Sequence, residues 1–360
     1  MRIADKFLYK IGFKRRLFIH VGFSLLDFNA SFLTCIWSPT RYIVYVYNWF
    51  MRICLLSDEK IEDYNPAKYL WKYDWDFVTV QPPVFEFMQD LSARKPYDVY
   101  LNLFEGAEDD NSGADLVQAL ETLNLPFTGA DSRFYNPTRE QMQAVAEANG
   151  IKFAKGFRAS QEADLHQAEM LKYPLIVKHP NSYASVGLTP ASKVNSFEEL
   201  KTQFQRVIQD FGSARIEEFI EGGEVSCLVA DNPDDFSSPY AYMPAEVVFP
   251  QGESFMHEEV KWFNWDTLII PLQNQDLLKP IQDISKKMYL AMNGRGYARL
   301  DMRVRPNGEI AVLEINPNCG ILYYGEDDRS ATDLPISWDK DGHDGFLDRI
   351  FRSALLRHKR

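Results

Sequence analysis

Cysteine is scarce in this chain. Its four copies in 360 residues, Cys35, Cys54, Cys227 and Cys319, are scattered and form no CxxC pair. That argues against a disulfide scaffold or a zinc ribbon and makes a reducing, cytoplasmic setting the default. Long apolar runs are missing as well: no uncharged stretch reaches the ~20 residues a spanning helix needs, because Asp27 and Arg41 interrupt the most apolar segment. Internal repeats and low-complexity tracts are absent, and no Ser/His/Asp triad is evident. Positive charge is short, with 39 Lys and Arg against 51 Asp and Glu and a net charge of -12. Such acidity argues against nucleic acid as a partner, although a local basic pocket for a nucleotide is compatible with it.

The charge is unevenly spread. Residues 1–50 hold seven Lys or Arg against Asp5 and Asp27, which leaves -17 for the remainder. A basic start followed by about ten apolar residues is how a signal or anchor begins. Residues 1–50 are therefore a targeting or membrane-surface segment, a packed extension, or a stretch outside the working protein. Any membrane association or secretory targeting would run through them. The third reading is favoured, because "MRICLLSD" from Met51 is a natural first strand of an α/β domain. With 46% hydrophobic and 25% charged residues, the chain is ordinary globular material for two or three domains.

From Met51 onward, "RICLLS" (52–57), "WDFVTVQPP" (75–83) and "YDVYLNLFEG" (97–106) read as strands, and "SGADLVQALETLN" follows as a helix. Strands alternating with helices imply a parallel open sheet, which places ligands beyond the strand C-termini. The acidic loop "EGAEDDNSG" (105–113) is thus on the functional edge or is a solvated helix cap. "NPTREQMQAVAEANG" (136–150) is a helix stopped by Gly150 and marks a domain change. "YPLIVKHPNSYASVG" (173–187) runs a buried strand into Lys178, which either snorkels or grips phosphate beside a turn of backbone donors. Ser196 and Glu199 form a capping box for a helix whose stripe is Phe197, Leu200, Phe204, Val207, Ile208 and Phe211, ended by Gly212. In "RIEEFIEGGEVSCLVA" (215–230) two strands flank Gly222-Gly223, and Glu217 and Glu224 are either solvated edge residues or groups for an adenine amine and ribose hydroxyls.

"GYARLDMRVRPNGEIAVLEIN" (296–316) reads as a hairpin around Asn307-Gly308. A two-residue loop would pair residues whose numbers sum to 615. Asp301 then faces Glu314, Arg299 faces Asn316 and Arg303 faces Val312, while the core face pairs Leu300 with Ile315, Met302 with Leu313 and Val304 with Ala311. Opposed carboxylates repel unless a cation lies between them. Oxygen ligands so spaced suit Mg²⁺, with Mn²⁺ as its substitute; the bland alternative is that Arg299 and Arg303 merely neutralise them.

Taken in order, these segments resemble the ATP-grasp superfamily, and within it the D-alanine–D-alanine ligases and their relatives, from roughly Met51 to Gly320. The resemblance rests on Lys178 followed by Ser185-Val186-Gly187, on Glu217-Glu218-Phe219-Ile220 with Glu224, on Arg299-Leu300-Asp301, and on Glu314-Ile315-Asn316. It implies an N-terminal Rossmann-like parallel α/β domain (51–135) followed by an ATP-grasp fold (136–360). That fold would have two α+β subdomains gripping ATP, 136–230 and 231–325, and a tail with a helix over 326–360.

The resemblance also implies roles. Arg139, which stands where the ligases commonly have lysine, and Lys178 would contact nucleotide phosphates, with Ser185 in the phosphate turn. The backbone of Glu218, Phe219 and Ile220 would hold adenine beside Glu217; Glu224 would bind ribose; Val312 and Leu313 would wall the adenine side. Asp301, Glu314 and Asn316 would hold Mg²⁺, while Arg299 and Lys261 would act on the transferred phosphoryl group. A small carboxylate would attack ATP, and the acylphosphate would be captured by a small amine to form an amide. A homodimer is compatible with this reading. Tyr183 and Ala184 stand where a glycine and a serine are usual, and "SDEKIEDY", with Glu62, replaces a glycine-rich turn. D-alanine as substrate therefore does not follow. The alternative is an ATP-binding relative without ligase chemistry, serving as a regulatory or scaffold protein. Cys319, beside the site, is either a modifiable thiol or a buried inert one.

Overall fold

The computed structural model describes residues 33–36, 43–46, 51–105, 112–181, 185–262, 267–323 and 332–359. The chain divides into two units, Met1–Phe50 and Met51–Arg360. In the first, β1 (Leu33–Ile36) pairs antiparallel with β2 (Ile43–Val46).

The second unit opens with three parallel strands, β3 (Arg52–Ser57), β4 (Asp74–Thr79) and β5 (Val99–Asn102), in the order β4-β3-β5. The continuous apolar run of β3 is explained by helices on both faces. Cys54 and Leu56 meet the helices Val84–Arg94 and Ser112–Thr122, whereas Ile53 and Leu55 meet Phe346, Leu347, Ile350 and Phe351 of the helix Gly342–His358. The terminal helix, expected from the resemblance as the helix of a C-terminal tail over 326–360, is thus a full layer of this sandwich.

An antiparallel sheet follows, ordered β6-β9-β7-β8, from β6 (Gly156–Ala159), β7 (Leu175–Lys178), β8 (Lys193–Val194) and β9 (Ala214–Glu218). The helix Phe197–Phe211 buries Leu200, Phe204 and Val207 against it, each contributing about 1.5–3 kcal/mol. Phe197 departs from the predicted stripe: it is exposed and takes no part in this core. The Ser196 hydroxyl accepts from the Glu199 amide, but the reciprocal bond comes from the Asn195 amide, one residue earlier than a capping box requires.

A third sheet runs β13-β12-β10-β14-β15, with β11 also paired to β10; its strands are β10 (Gly223–Ala230), β11 (Tyr240–Ala241), β12 (Ala245–Val248), β13 (Leu268–Pro271), β14 (Tyr297–Val304) and β15 (Ile310–Pro317). The helix Gln275–Ala291 places Ile281, Met288 and Tyr289 in a core with Val225, Cys227, Leu300, Met302, Val312 and Ile315. Strands β9 and β10, four residues apart in sequence, belong to different sheets. Neither Glu217 nor Glu224 is on an edge strand, because β9 lies between β6 and β7, and β10 between β12 and β14.

The β14–β15 hairpin departs from the expected register over half its length. Arg299 pairs with Asn316, Leu300 with Ile315 and Asp301 with Glu314, as expected, but Met302 pairs with Val312, Arg303 with Ala311 and Val304 with Ile310. The loop holds three residues, not two: the Gly308 amide bonds the Arg305 carbonyl, the Arg305 amide bonds the Glu309 carbonyl, and Gly308 sits at φ 84°. Pro306 fits the second position of a type I turn, which moves the turn one residue forward and leaves glycine in the left-handed position. Leu313 is then the extra residue of a bulge that restores the expected pairing at the site.

Candidate active site

Asp301 and Glu314 stand opposite each other, and each carboxylate meets an arginine. Arg299 donates to Asp301 twice, at 2.8 and 2.9 Å. Glu314 pairs with Arg139, which comes from the first turn of the helix Arg139–Ala148 and also donates to the Leu313 carbonyl at 3.1 Å. Asn316 donates its amide to Asp301 at 2.7 Å and to Glu314 at 3.2 Å, while its buried Oδ1 has no partner. That orphaned oxygen beside two carboxylates is an all-oxygen donor set, and it fits Mg²⁺. Of the arginines proposed to neutralise the pair, Arg299 does so. Arg303 instead lies 3.8 Å from Glu224 and donates to the Gly222 and Ser254 carbonyls, both at 2.6 Å.

Lys178, at the end of β7, is 2.5 Å from Glu217, whose other oxygen takes Arg215 at 3.2 Å. Burial, then the neighbouring Arg139, push the Lys178 ammonium down to about 8 despite Glu217. Burial would raise the Glu217 carboxyl, but Lys178, Arg215 and Arg139 outweigh it and hold the group below the usual range. Burial likewise opposes charge on Arg299, yet Asp301 keeps it firmly protonated. Glu224 is pushed up to about 7 by burial, only partly offset by Arg303. Lys261, on the short helix Glu258–Trp262, is lowered to about 8 by desolvation and Arg299, with Asp301, Glu105 and Glu224 pulling the other way.

Between these charges lies an apolar patch. Leu313, Ala311, Ala154 and Ile220 pack together, and Phe219 joins Ile176 and Phe255. Val312 does not wall this patch; it faces the main core, because the bulge turns Leu313 and Glu314, not Val312, toward the site. The Glu218 and Phe219 amides are bonded to the Lys155 and Pro174 carbonyls. The Glu218 side chain accepts from the Lys172 amide. Ser185, at φ 62°, donates to the Met256 carbonyl at 2.8 Å and so ties the turn after β7 to the segment carrying Lys261. Tyr183 and Ala184 of that turn, and residues 106–111 of the acidic loop, lie outside the described residues. Cys319 is buried and its thiol is pushed up to about 11 by desolvation, which makes it inert.

Sequence reasoning did not single out Glu105 itself, Tyr323 or His257. Glu105 follows β5 at the strand's C-terminal end, the edge where a parallel sheet presents ligands, and that position was its available signal. His257 is buried, with Nε2 2.8 Å from Glu253 and Nδ1 unpartnered. Among the described residues no helix is long and apolar enough to cross a membrane.

Residues 143–330, over half of the chain, match the family model described as D-ala D-ala ligase C-terminus. A D-alanine–D-alanine ligase of Lactococcus lactis subsp. cremoris is 29% identical over 62% of this chain and 62% of its own length. One of Bacillus pumilus is 27% identical over 76% and 75%. The crystal structure of the Bacillus anthracis D-alanine–D-alanine ligase superposes with a TM-score of 0.65 at 21% identity, covering 86% of this chain and 99% of that one, and that protein has also been solved complexed with ATP. The three sheets, the opposed carboxylates and this match together place the chain in the D-ala D-ala ligase C-terminus family of ATP-grasp carbon–nitrogen ligases.

Proposed function

We propose that this protein joins a small carboxylic acid to a small amine at the expense of ATP, through an acylphosphate. The observation that carries the reading is the Asp301–Glu314 pair with the unsatisfied Asn316 Oδ1, ringed by Arg299, Arg139, Lys178 and Lys261. Asp301, Glu314 and Asn316 would hold Mg²⁺, which supplies charge neutralisation on the phosphates when bound. The apolar patch of Leu313, Ile220 and Ala154 takes the base and Glu224 the ribose. Lys178 and Arg139 draw the phosphates, and Arg299 and Lys261 meet charge that develops on the transferred phosphoryl group. Phosphoryl transfer needs such positioning and charge more than a covalent nucleophile.

ADP release measured against a pool of D- and L-amino acids and hydroxy acids tests the proposal. D-alanine is the first acid to try, because the relatives carry that name. Acid-dependent ADP release supports the ligase reading. A nucleotide-induced rise in melting temperature without ADP release from any acid would favour an ATP-binding relative that has lost the chemistry.

A further inference from the structure

Four carboxylates of the site are each tied to a cation: Glu217 to Lys178 and Arg215, Glu224 to Arg303, Asp301 to Arg299 and Glu314 to Arg139. Glu105 is bound differently. It keeps solvent access, and its partners are neutral donors, the Tyr323 hydroxyl and the Gly320 amide. Its place is rigidly set. The Phe104 carbonyl just before it accepts from Asn318 Nδ2 at 2.6 Å and from the Tyr135 hydroxyl at 3.1 Å, and Asn318 is 1% exposed. Tyr323 is itself stacked on Tyr64 at 5.4 Å. A side chain at position 320 would strike the Glu105 carboxylate, so glycine there lets the carboxylate lie against the turn that follows β15.

We propose that Glu105 is the base that takes a proton from the amine substrate as it attacks the acylphosphate. This rests on the ligase reading above. The ammonium gives one proton to the Glu105 carboxylate, and the freed nitrogen lone pair forms the C–N bond at the acyl carbon. The C–O bond to phosphorus-bearing oxygen breaks, the second nitrogen proton leaves with phosphate as HPO₄²⁻, and Glu105 returns its proton to water. A carboxylate without a fixed cation is free to take up and release the proton, and Glu105 lies against Gly320, in the turn just beyond the strand that carries Glu314 and Asn316, with Arg299 and Lys261 as charged neighbours.

The groups that face Glu105 set its proton affinity. Loss of part of its hydration raises it most; Arg299 on β14 lowers it, Glu59 after β3 raises it, and Lys261 and the Gly320 amide lower it. The result, about 7, suits a base working near neutral pH.

Hydroxylamine provides the test, because it is already a neutral nucleophile near neutral pH and needs no base to capture an acylphosphate. With the acid that the wild-type enzyme selects from the pool, Glu105→Gln is expected to lower amide formation by about 10²–10⁴-fold while hydroxamate formation stays near wild type. In the wild type, amide formation should fall as pH drops through about 7, with hydroxamate formation flat. Tyr323→Phe, which removes a donor from the charged carboxylate, should move that acid limb to higher pH. Equal loss of amide and hydroxamate in Glu105→Gln, or no loss of either, overturns the assignment. Absence of hydroxamate with every acid in the wild type overturns the ligase reading and this assignment with it.

Discussion

Glu314→Gln sets two opposing effects against each other. Opposed carboxylates repel, so removing one would relieve Asp301; Arg139, however, is 4% exposed and would lose its counter-charge. The geometry favours the second effect. Asp301 is already held by both arms of Arg299 and by Asn316 at 2.7 Å, so little repulsion is left to relieve. Arg139 also lies close enough to Lys178 to depress that lysine's proton affinity, so loss of the Glu314 charge would leave two neighbouring cations less well compensated. Removing one member of a buried pair costs about 3–5 kcal/mol, and the glutamine carbonyl can keep one hydrogen bond, which points to about 3 kcal/mol. In a unit of this size, Met51–Arg360, that is roughly a 4–5 °C fall in melting temperature. Thermal and urea melts of the metal-free protein, run on Glu314→Gln, Arg139→Met and the double variant, measure it. The double variant should recover most of the loss, and ADP formation should be absent wherever Glu314 is replaced. A Glu314→Gln protein as stable as wild type without metal would refute the ion-pair reasoning and show that repulsion dominates.

Lys178→Ala should abolish the melting-temperature rise produced by Mg²⁺-ATP; an undiminished rise would move the phosphate site elsewhere. Because Lys178 and Lys261 are lowered to about 8, both are charged below that pH and lose charge above it. Nucleotide affinity should therefore hold below pH 8 and weaken above it, with net proton uptake on binding near pH 8, measured by calorimetry in buffers of different ionisation enthalpy. Asn316→Ala should be a milder lesion in ADP formation than Glu314→Gln, since a neutral ligand contributes less to a hard cation. A chain beginning at Met51 should stay soluble with unchanged ATP affinity, because Met51–Arg360 forms its own compact unit; aggregation of that chain would show that residues 1–50 are packed onto it.

The order of strands, the two helices that close on Gly150 and Gly212, and the face shared by Arg299, Asp301, Glu314 and Asn316 were legible in the sequence, because hydrophobic period and turn chemistry are local. The pairing at Asp301 and Glu314 was legible for an incomplete reason. Asn307-Gly308 suggested a two-residue loop, Pro306 made it three, and the bulge at Leu313 cancelled the slip. What stayed hidden is long-range. Nothing local says that Arg139 reaches Glu314 or that the end of β5 lies against Gly320, since local pattern carries no register between separate sheets. The exposure of Phe197 shows the same limit on a smaller scale, because its period is right yet period alone does not say whether a core residue lies beneath it.

The bulge at Leu313 has a consequence for the spacing of unlike groups. A regular strand gives one face only every second residue, about 7 Å apart. Here neighbours share a face, so an aliphatic side chain in contact with Ile220 and a carboxylate bound to Arg139 follow each other without an intervening residue. The boundary between greasy and ionic surface is thereby compressed to a single residue's rise. A molecule carrying a flat apolar end and a charged end must lie across that boundary in one direction only, and trimming the extra residue would blur the step while leaving the opposed acids in place.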